Sequence, residues 1–236
     1  MFYQTEPFLR LLVILIPQPF IAILFFFLSF KLLDRKTTRP TLTLASFYVL
    51  TAFGFIFNAL TQFLAQMGLE TIRNLFYFIS SYLLLLGFIF IPLFIITIFK
   101  TELEFKKRSY ILIVIIYAIL SALLYLTPEG IEFKNGIVFY SGLLFILVNI
   151  FFTLCITLPT FIFSLRLYST FKDKNLKKKL RIFLFGVIQA LVIFYGVVLL
   201  NITPTFHIYR SIWYFIAFFL LVSGGLCIYY GLGRDL

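Results

Sequence analysis

Charged residues are scarce in this chain, and that scarcity determines its broad class. Only 12% of the 236 residues are charged, whereas 62% are hydrophobic and the mean hydropathy is +1.08. Soluble domains carry about 25% charged and about 45–50% apolar residues. The composition therefore excludes a water-soluble fold and leaves nearly the whole length for membrane spans.

Histidine and cysteine, on which much enzyme and metal chemistry depends, are also rare. The chain has one histidine, His207, and two cysteines, Cys155 and Cys227. A rhomboid-type protease needs a membrane serine with a histidine, and a zinc hydrolase needs several His or Asp ligands. No glycine-rich phosphate loop is present. We therefore expect no enzymatic activity, no metal and no cofactor, and we expect the cysteines to act as packing residues.

Seven apolar stretches are each long enough to cross a bilayer as a helix, since a core of about 30 Å needs about 20 residues. Within lipid every backbone polar group must be paired, so each stretch is expected to be helical. The sequence predicts an all-α membrane protein with one seven-helix transmembrane domain over residues 1–236. The predicted spans are Phe8–Phe30, Leu42–Gln66, Leu75–Phe99, Tyr110–Leu126, Leu143–Leu165, Ile182–Ile202 and Ile212–Leu232.

No Asp, Glu, Lys or His lies inside any predicted span, and Arg10 and Arg166 lie near span ends, from which they can reach the membrane surface. Ionisable residues within a membrane mark ion paths and proton relays, and a retinal protein needs a lysine in its last helix. Their absence argues against both functions. We expect no charged group to face a pocket between the helices, so the ligand is predicted to be neutral or lipid-like.

Most of the 20 Lys and Arg residues follow the first, third and fifth spans. The positive-inside rule then predicts an outer N-terminus, an inner C-terminus and a multi-pass protein of the cell membrane. The densest group is a basic patch between spans five and six, formed by Lys172, Lys174, Lys177, Lys178, Lys179 and Arg181. It is interpreted as an orientation and headgroup signal or as a docking site for a cytosolic protein. Aromatic residues that would stack on bases do not alternate with these lysines, so nucleic acid is not expected.

Residues 131–139 alternate apolar and polar side chains around Asn135 and Gly136. Asn-Gly is the preferred pair for a two-residue hairpin turn. The sequence therefore predicts a small β-hairpin over the outer face of the bundle.

Polar side chains within or beside the spans are the candidates for a ligand pocket. Asn58 and Gln62 lie one turn apart on one face of span two, while His207 and Trp213 lie near the outer mouth. These side chains either form hydrogen bonds between helices or line a pocket for a ligand. The full set of candidates is Gln18, Asn58, Gln62, Asn149, Gln189, His207 and Trp213.

Four prolines fall within the predicted spans, namely Pro17, Pro19, Pro92 and Pro159. A proline removes one helical hydrogen bond and clashes with the carbonyl four residues earlier. We therefore predict hinges at these positions, at which the outer half of the bundle flexes against the inner half.

A basic loop and the last eight residues carry a resemblance. Residues 167–186 read Leu-Tyr-Ser-Thr-Phe-Lys-Asp-Lys-Asn-Leu-Lys-Lys-Lys-Leu-Arg-Ile-Phe-Leu-Phe-Gly, and residues 229–236 read Tyr-Tyr-Gly-Leu-Gly-Arg-Asp-Leu. With the predicted topology, they resemble the seven-helix sensor module at the N-terminus of some microbial histidine kinases, which also occurs as stand-alone archaeal membrane proteins. The resemblance implies a stand-alone module without catalytic residues, whose output passes to a separate partner.

We therefore expect a receptor-like membrane sensor that responds to a neutral or lipid-like ligand and signals through a cytosolic protein. Two alternatives stay open. One is a small carrier for a neutral solute, with a cavity around Asn58, Gln62, Asn149 and Gln189. The other is a non-catalytic subunit of a larger membrane complex. Homo-oligomerisation is also left open by the sequence.

Overall fold

The structure, a computed structural model, describes residues 16–35, 37–99, 106–127, 130–134, 137–202 and 207–235. These residues form seven helices and one two-stranded sheet. The helices are α1 (Pro17–Leu33), α2 (Arg39–Gln66), α3 (Glu70–Phe99), α4 (Lys107–Tyr125), α5 (Gly142–Thr170), α6 (Lys174–Ile202) and α7 (His207–Gly231), and the strands are β1 (Ile131–Lys134) and β2 (Ile137–Tyr140).

The predicted helical architecture is confirmed for spans two to seven. Each corresponds to a helix that is long and apolar enough to cross a membrane. The first helix is described over 17 residues, from Pro17, and it continues to Leu33, three residues beyond the predicted end. The predicted residues 8–15 of span one lie outside the described part of the chain.

Local signals at the helix ends agree with these boundaries. At the start of α2, Thr38 and Thr41 form a reciprocal capping box, in which each side chain accepts a hydrogen bond from the other's backbone amide. This satisfies two amides that the first turn leaves unpaired. Between α2 and α3 the chain turns at Gly68, whose φ of 71° lies in the left-handed region that favours glycine.

Successive helices alternate in direction, so the bundle has two distinct ends. The "hairpin end" carries the β-hairpin and the first turns of α3, α5 and α7. The "basic end" carries the starts of α2, α4 and α6, together with most of the Lys and Arg residues. Helix α2 packs against α1 and α3, and α7 packs against α6 and also against α1, which closes the bundle. Helix α4 lies at the periphery, where only Tyr117 and Ser121 are buried among its residues.

Helices α6 and α7 approach each other closely where two glycines face each other. A methyl group added at Gly186 would collide with the backbone carbonyl of Gly224. Small residues at such a crossing let two membrane helices pack backbone against backbone. This contact lies towards the basic end of the two helices.

Two helices are interrupted near predicted hinge prolines. Helix α3 breaks at Ile89, between Glu70–Phe88 and Phe90–Phe99, because Pro92 has no amide to pair with the carbonyl of Phe88. Helix α5 contains a π-turn at Thr153–Thr157, directly before Pro159.

The remaining two hinge candidates lie in a different setting. Pro17 and Pro19 occupy the first turn of the described part of α1, and the residues four positions earlier, 13 and 15, lie outside the described part of the chain. Hinge motion at any of the four prolines stays a prediction.

Candidate functional site

A cavity of about 200 Å³ lies at the hairpin end, between α1, α2, α3, α6 and α7. Tyr125 of α4 and two residues of β2, Val138 and Tyr140, also line it. Most of its walls are aliphatic or aromatic, and a smaller number of polar side chains point to it. A mainly apolar cavity with a few polar groups is the usual form of a small-molecule site.

An aromatic floor closes the cavity towards the basic end. Phe88 of α3 and Phe194 of α6 line the cavity, and both rings pack against Phe152 of α5. The ring centroids of Phe152 and Phe194 are 3.5 Å apart, and those of Phe88 and Phe152 are 5.0 Å apart. Phe152 is completely buried. The Phe88 ring also packs against Phe47 of α2, at a centroid distance of 6.1 Å.

The β-hairpin covers the opposite end of the cavity. Its strands pair in antiparallel register, with Lys134 opposite Ile137, so the predicted hairpin is confirmed and extends to Tyr140. Asn135 and Gly136 lie outside the described residues. The Tyr77 and Tyr140 hydroxyl oxygens are 2.9 Å apart, which joins the hairpin to α3. Burial raises the pKa of the Tyr140 hydroxyl, while hydrogen bonds with Tyr77 and Asn201 oppose that rise.

Two buried arginines, one on α3 and one on α7, contact aromatic rings of the hairpin. The guanidinium carbon of Arg73, on α3, lies 4.9 Å from the ring centroid of Phe133. That of Arg210, on α7, lies 5.0 Å from the ring centroid of Phe139. The exposed fractions of Arg73 and Arg210 are 6% and 5%. Stacking of a cation on an aromatic face is most favourable when both groups are desolvated.

Of these two arginines, Arg210 alone lines the cavity. The expectation that no charged group faces the pocket is therefore wrong. Arg210 precedes the predicted start of span seven by two residues, but α7 begins at His207, which places Arg210 in its first turn. Its Nη2 also donates a hydrogen bond to the carbonyl oxygen of Leu200, at 2.6 Å.

Three of the predicted ligand residues come together in the cavity, and they are Gln18, Asn58 and Gln62. Gln18 is 8% exposed, and its Oε1 is buried without a hydrogen-bond partner. Asn58 and Gln62 present their amides from α2, one helical turn apart. A role for these three residues in ligand binding stays a prediction.

Two other predicted amides are used within the bundle and do not line this cavity. The Asn149 Nδ2 donates to the carbonyl oxygen of Phe145 in its own helix, at 2.7 Å. The Gln189 Oε1 accepts a hydrogen bond from the Ser223 hydroxyl, at 3.1 Å, which links α6 to α7. For Asn149 and Gln189, these two contacts favour a role in hydrogen bonding within the bundle over a role in ligand binding.

The remaining two candidates, Trp213 and His207, belong to α7. Trp213 lies one turn from Arg210, and its indole ring packs so closely on Gly196 that a methyl group there would overlap it. The backbone of His207 starts the helix, and its side chain lies outside the part that the structure describes.

Sequence reasoning did not select Tyr77, Tyr140, Asn201 or Arg210, which all line the cavity. Tyrosines near a membrane surface are ordinarily assigned to an interfacial belt, and Tyr140 differs only in that it directly follows the predicted hairpin. The signal available for Arg210 was a cation within one turn of the predicted start of an apolar span.

The predicted basic patch is at the other end of the molecule. Lys177 and Arg181 lie over the ring of Tyr168, with 5.1 Å and 5.4 Å to its centroid, and Arg181 also bonds the Tyr168 hydroxyl. Lys172, Lys174 and Lys178 are exposed. These contacts hold part of the patch against the end of α5.

Within the described residues, no group of three or more His, Cys, Asp or Glu side chains is arranged to hold a metal ion. Comparison of the chain with protein-family models, curated proteins and solved structures found no match. What the cavity can bind is therefore inferred from the residues that line it.

Proposed function

We propose that this chain is a multi-pass membrane sensor that binds a neutral or lipid-like ligand in the cavity under the hairpin. In the proposed orientation the hairpin end faces outwards and the basic end faces the cytosol. The observation that carries the proposal is the cavity itself, which five helices enclose and an aromatic floor closes.

The Gln18 side chain supports a ligand in this cavity. Its Oε1 is a buried acceptor without a partner, and a buried polar group that makes no hydrogen bond costs about 1–3 kcal/mol. A donor on a bound ligand, or a bound water molecule, would remove that cost. Asn58 and Gln62 add further amide groups to the same cavity, so a ligand with one polar group and an apolar body matches the lining.

The position of the floor supports a sensing role. Phe88 immediately precedes the break at Ile89 in α3, and Phe152 immediately precedes the π-turn in α5. The segments that follow, Phe90–Phe99 and Leu158–Thr170, pack against each other on the way to the basic end. A ligand that presses on these rings would therefore act on the two interrupted helices together.

The same helix leads to the basic patch, since Tyr168 of α5 carries the stacked Lys177 and Arg181. We propose that a change in the lower half of α5 alters how this patch is presented to a cytosolic partner. The resemblance to kinase sensor modules agrees with that direction of signalling.

Native mass spectrometry of the gently solubilised protein tests the binding proposal. We expect a copurified small molecule on the wild type, and at least about tenfold less of it on Asn58→Leu and Gln62→Leu, which remove the cavity amides. Asn149→Leu and Gln189→Leu are matched controls, because they make the same substitutions outside the cavity. The controls are expected to keep the ligand.

Adding the identified molecule back to ligand-free protein tests the sensing step. Cys155 lies in the π-turn next to the floor, so its alkylation rate should change on binding. A wild type without a bound molecule but with a fixed set of foreign subunits would contradict the proposal and favour a subunit role. Solute flux in proteoliposomes that Asn58→Leu abolishes would favour a carrier.

A further inference from the structure

We infer that the ligand of this cavity carries a hydroxyl group that donates a hydrogen bond to the Gln18 Oε1, while its alkyl chain extends to the aromatic floor. This inference rests on the proposed function and narrows it. Among neutral and lipid-like ligands, it selects an uncharged single-chain alcohol.

The first argument is the unpaired acceptor of Gln18. This residue is 8% exposed and lines the cavity, and its Oε1 has no hydrogen-bond partner among the described residues. A buried acceptor keeps its desolvation cost until a donor reaches it, and native structures rarely leave such a group unpaired. The cavity is therefore completed by a molecule that brings a donor.

Two hydroxyl groups in the cavity wall are already engaged with the backbone. The Thr51 Oγ1 donates to the carbonyl oxygen of Phe47, at 2.7 Å, and the Ser80 Oγ donates to the carbonyl oxygen of Gly54, at 2.9 Å. A hydroxyl has one proton to donate. Neither group can therefore serve Gln18 without giving up its own bond.

Gln18 lies at the level of Asn58 on the neighbouring helix. Helices α1 and α2 run in opposite directions, and the Phe25 ring packs against Tyr48 and Phe55 of α2, with centroid distances of 5.3 Å and 6.3 Å. Gln18 precedes Phe25 by seven residues, or about 10 Å along the helix. The same distance along α2, from the middle of the Phe25 contact, leads to the turn that contains Asn58. The two amides thus line the cavity at one depth.

A hydroxyl is the simplest polar group that matches both amides. It carries one proton and two lone pairs, so it can donate to the Gln18 Oε1 and accept from the Asn58 Nδ2 at the same time. An ammonium group has no lone pair to accept with, and an ether oxygen has no proton to donate. The pair of amides therefore favours an alcohol over an amine or an ether.

The part of the cavity between the amides and the floor is suited to an alkyl chain. Thr51 is the lining residue of α2 nearest the basic end, and it precedes Asn58 by seven residues, so this part is about 10 Å deep. Its walls are mainly apolar, and they include Ile21, Phe55, Leu84, Ile193 and Leu221. The cavity volume of about 200 Å³ is below the range of about 300–1,000 Å³ found for drug-sized ligands, which favours one chain over two.

The test compares decanol with its isomer methyl nonyl ether, which has the same atoms but no proton to donate, and with decylamine. Binding of each probe to ligand-free protein in a nonionic detergent is measured separately by native mass spectrometry. We expect the wild type to bind decanol at least about tenfold more tightly than either of the other two.

Gln18→Leu removes the acceptor and should weaken decanol binding by at least about tenfold, while ether binding stays within about threefold. Gln189→Leu is the matched control, because the same substitution is made outside the cavity. It should keep the preference for decanol. Gln18→Met, which also lacks the acceptor, replaces Gln18→Leu if that variant does not fold.

Thermal unfolding of the ligand-free variants gives a second measurement. Gln18→Leu should raise the unfolding midpoint by about 2–4 °C, because it removes a buried acceptor that has no partner. Gln189→Leu should lower the midpoint, since it removes the acceptor of the Ser223 hydroxyl. A lower midpoint in Gln18→Leu would mean that a water molecule or another group already pairs with Gln18, and it would overturn the inference.

The other outcomes separate the two proposals. Equal or tighter binding of the ether or the amine to the wild type would overturn the hydroxyl donor and leave the binding cavity intact. An equal loss of decanol binding in Gln18→Leu and Gln189→Leu would overturn the assignment to Gln18. If the wild type binds none of the probes and copurifies with no small molecule, the proposed sensor function itself fails.

Discussion

The hydroxyl oxygens of Tyr77 and Tyr140 lie 2.9 Å apart, and this pair joins α3 to the hairpin across 63 positions of sequence. Tyr140 also lines the cavity, as does Asn201 of α6. One hydroxyl pair thus connects the cover of the cavity to α3, which forms one of its walls. Its strength should influence how firmly the hairpin stays in place.

Tyr77→Phe is expected to lower the free energy of unfolding by about 1 kcal/mol, because it removes one buried hydrogen bond. Tyr140→Phe should have a similar effect, since it removes the same hydroxyl pair. Thermal unfolding in detergent, followed by circular dichroism, measures both. Tyr82→Phe is the control, because Tyr82 is a half-buried tyrosine on the same helix. Equal effects for all three variants would contradict the assignment.

Gly196→Ala should displace the indole ring of Trp213, because the added methyl group would overlap that ring. Overpacking of this kind costs about 1–3 kcal/mol. Trp213 is the single tryptophan of the chain, so a shift in its fluorescence emission reports the displacement directly. Gly142→Ala introduces a methyl group with no atom within 4 Å, and it should leave both emission and stability nearly unchanged. An unaltered spectrum in Gly196→Ala would contradict this packing.

Tyr195→Phe should loosen the π-turn of α5. The Tyr195 hydroxyl lies 2.7 Å from that of Thr153 and 2.9 Å from that of Thr157, at the two ends of the turn. Without this bridge, Cys155 inside the turn should react faster with a membrane-permeant maleimide. Cys227, a free cysteine on α7, serves as the internal control. Equal acceleration at both cysteines would indicate general loosening of the bundle instead.

The proposed orientation predicts which residues are accessible from outside the cell. In a variant with Cys155→Ser and Cys227→Ser, a cysteine at the exposed position Glu132 should react with an impermeant maleimide on intact cells. A cysteine at the exposed position Lys178 should react only after the membrane is permeabilised. The reverse pattern would place the hairpin in the cytosol and contradict the orientation that the positive-inside rule predicts.

Periodicity and turn chemistry were sufficient for the secondary structure. The apolar runs predicted α2 and α4 to within three residues, whereas α3, α5, α6 and α7 each extend five to eight residues further at one end. Asn135 and Gly136 predicted the hairpin, because a two-residue loop of this composition determines the register of its strands. Pro92 and Pro159 predicted interruptions in α3 and α5, since a missing amide acts locally.

Local sequence patterns could not identify the residues that line the cavity. In a membrane helix the lipid-facing and core-facing surfaces are both apolar, so sequence does not reveal which face is buried. Asn58 and Asn149 looked equivalent as candidates, yet the first lines the cavity and the second bonds to its own helix. The difference depends on the rotation of each helix, which neighbouring side chains determine.

By itself, the sequence determined that the chain forms apolar helices long enough for a membrane, where those helices break and where the hairpin forms. Each of these depends on residues that are close along the chain. Tertiary structure decided that Arg210 lines a cavity while Arg73 does not, and that the rings of Phe88, Phe152 and Phe194 form its floor. Such contacts join residues that are far apart in sequence, and they exist only once five helices and the hairpin have packed together.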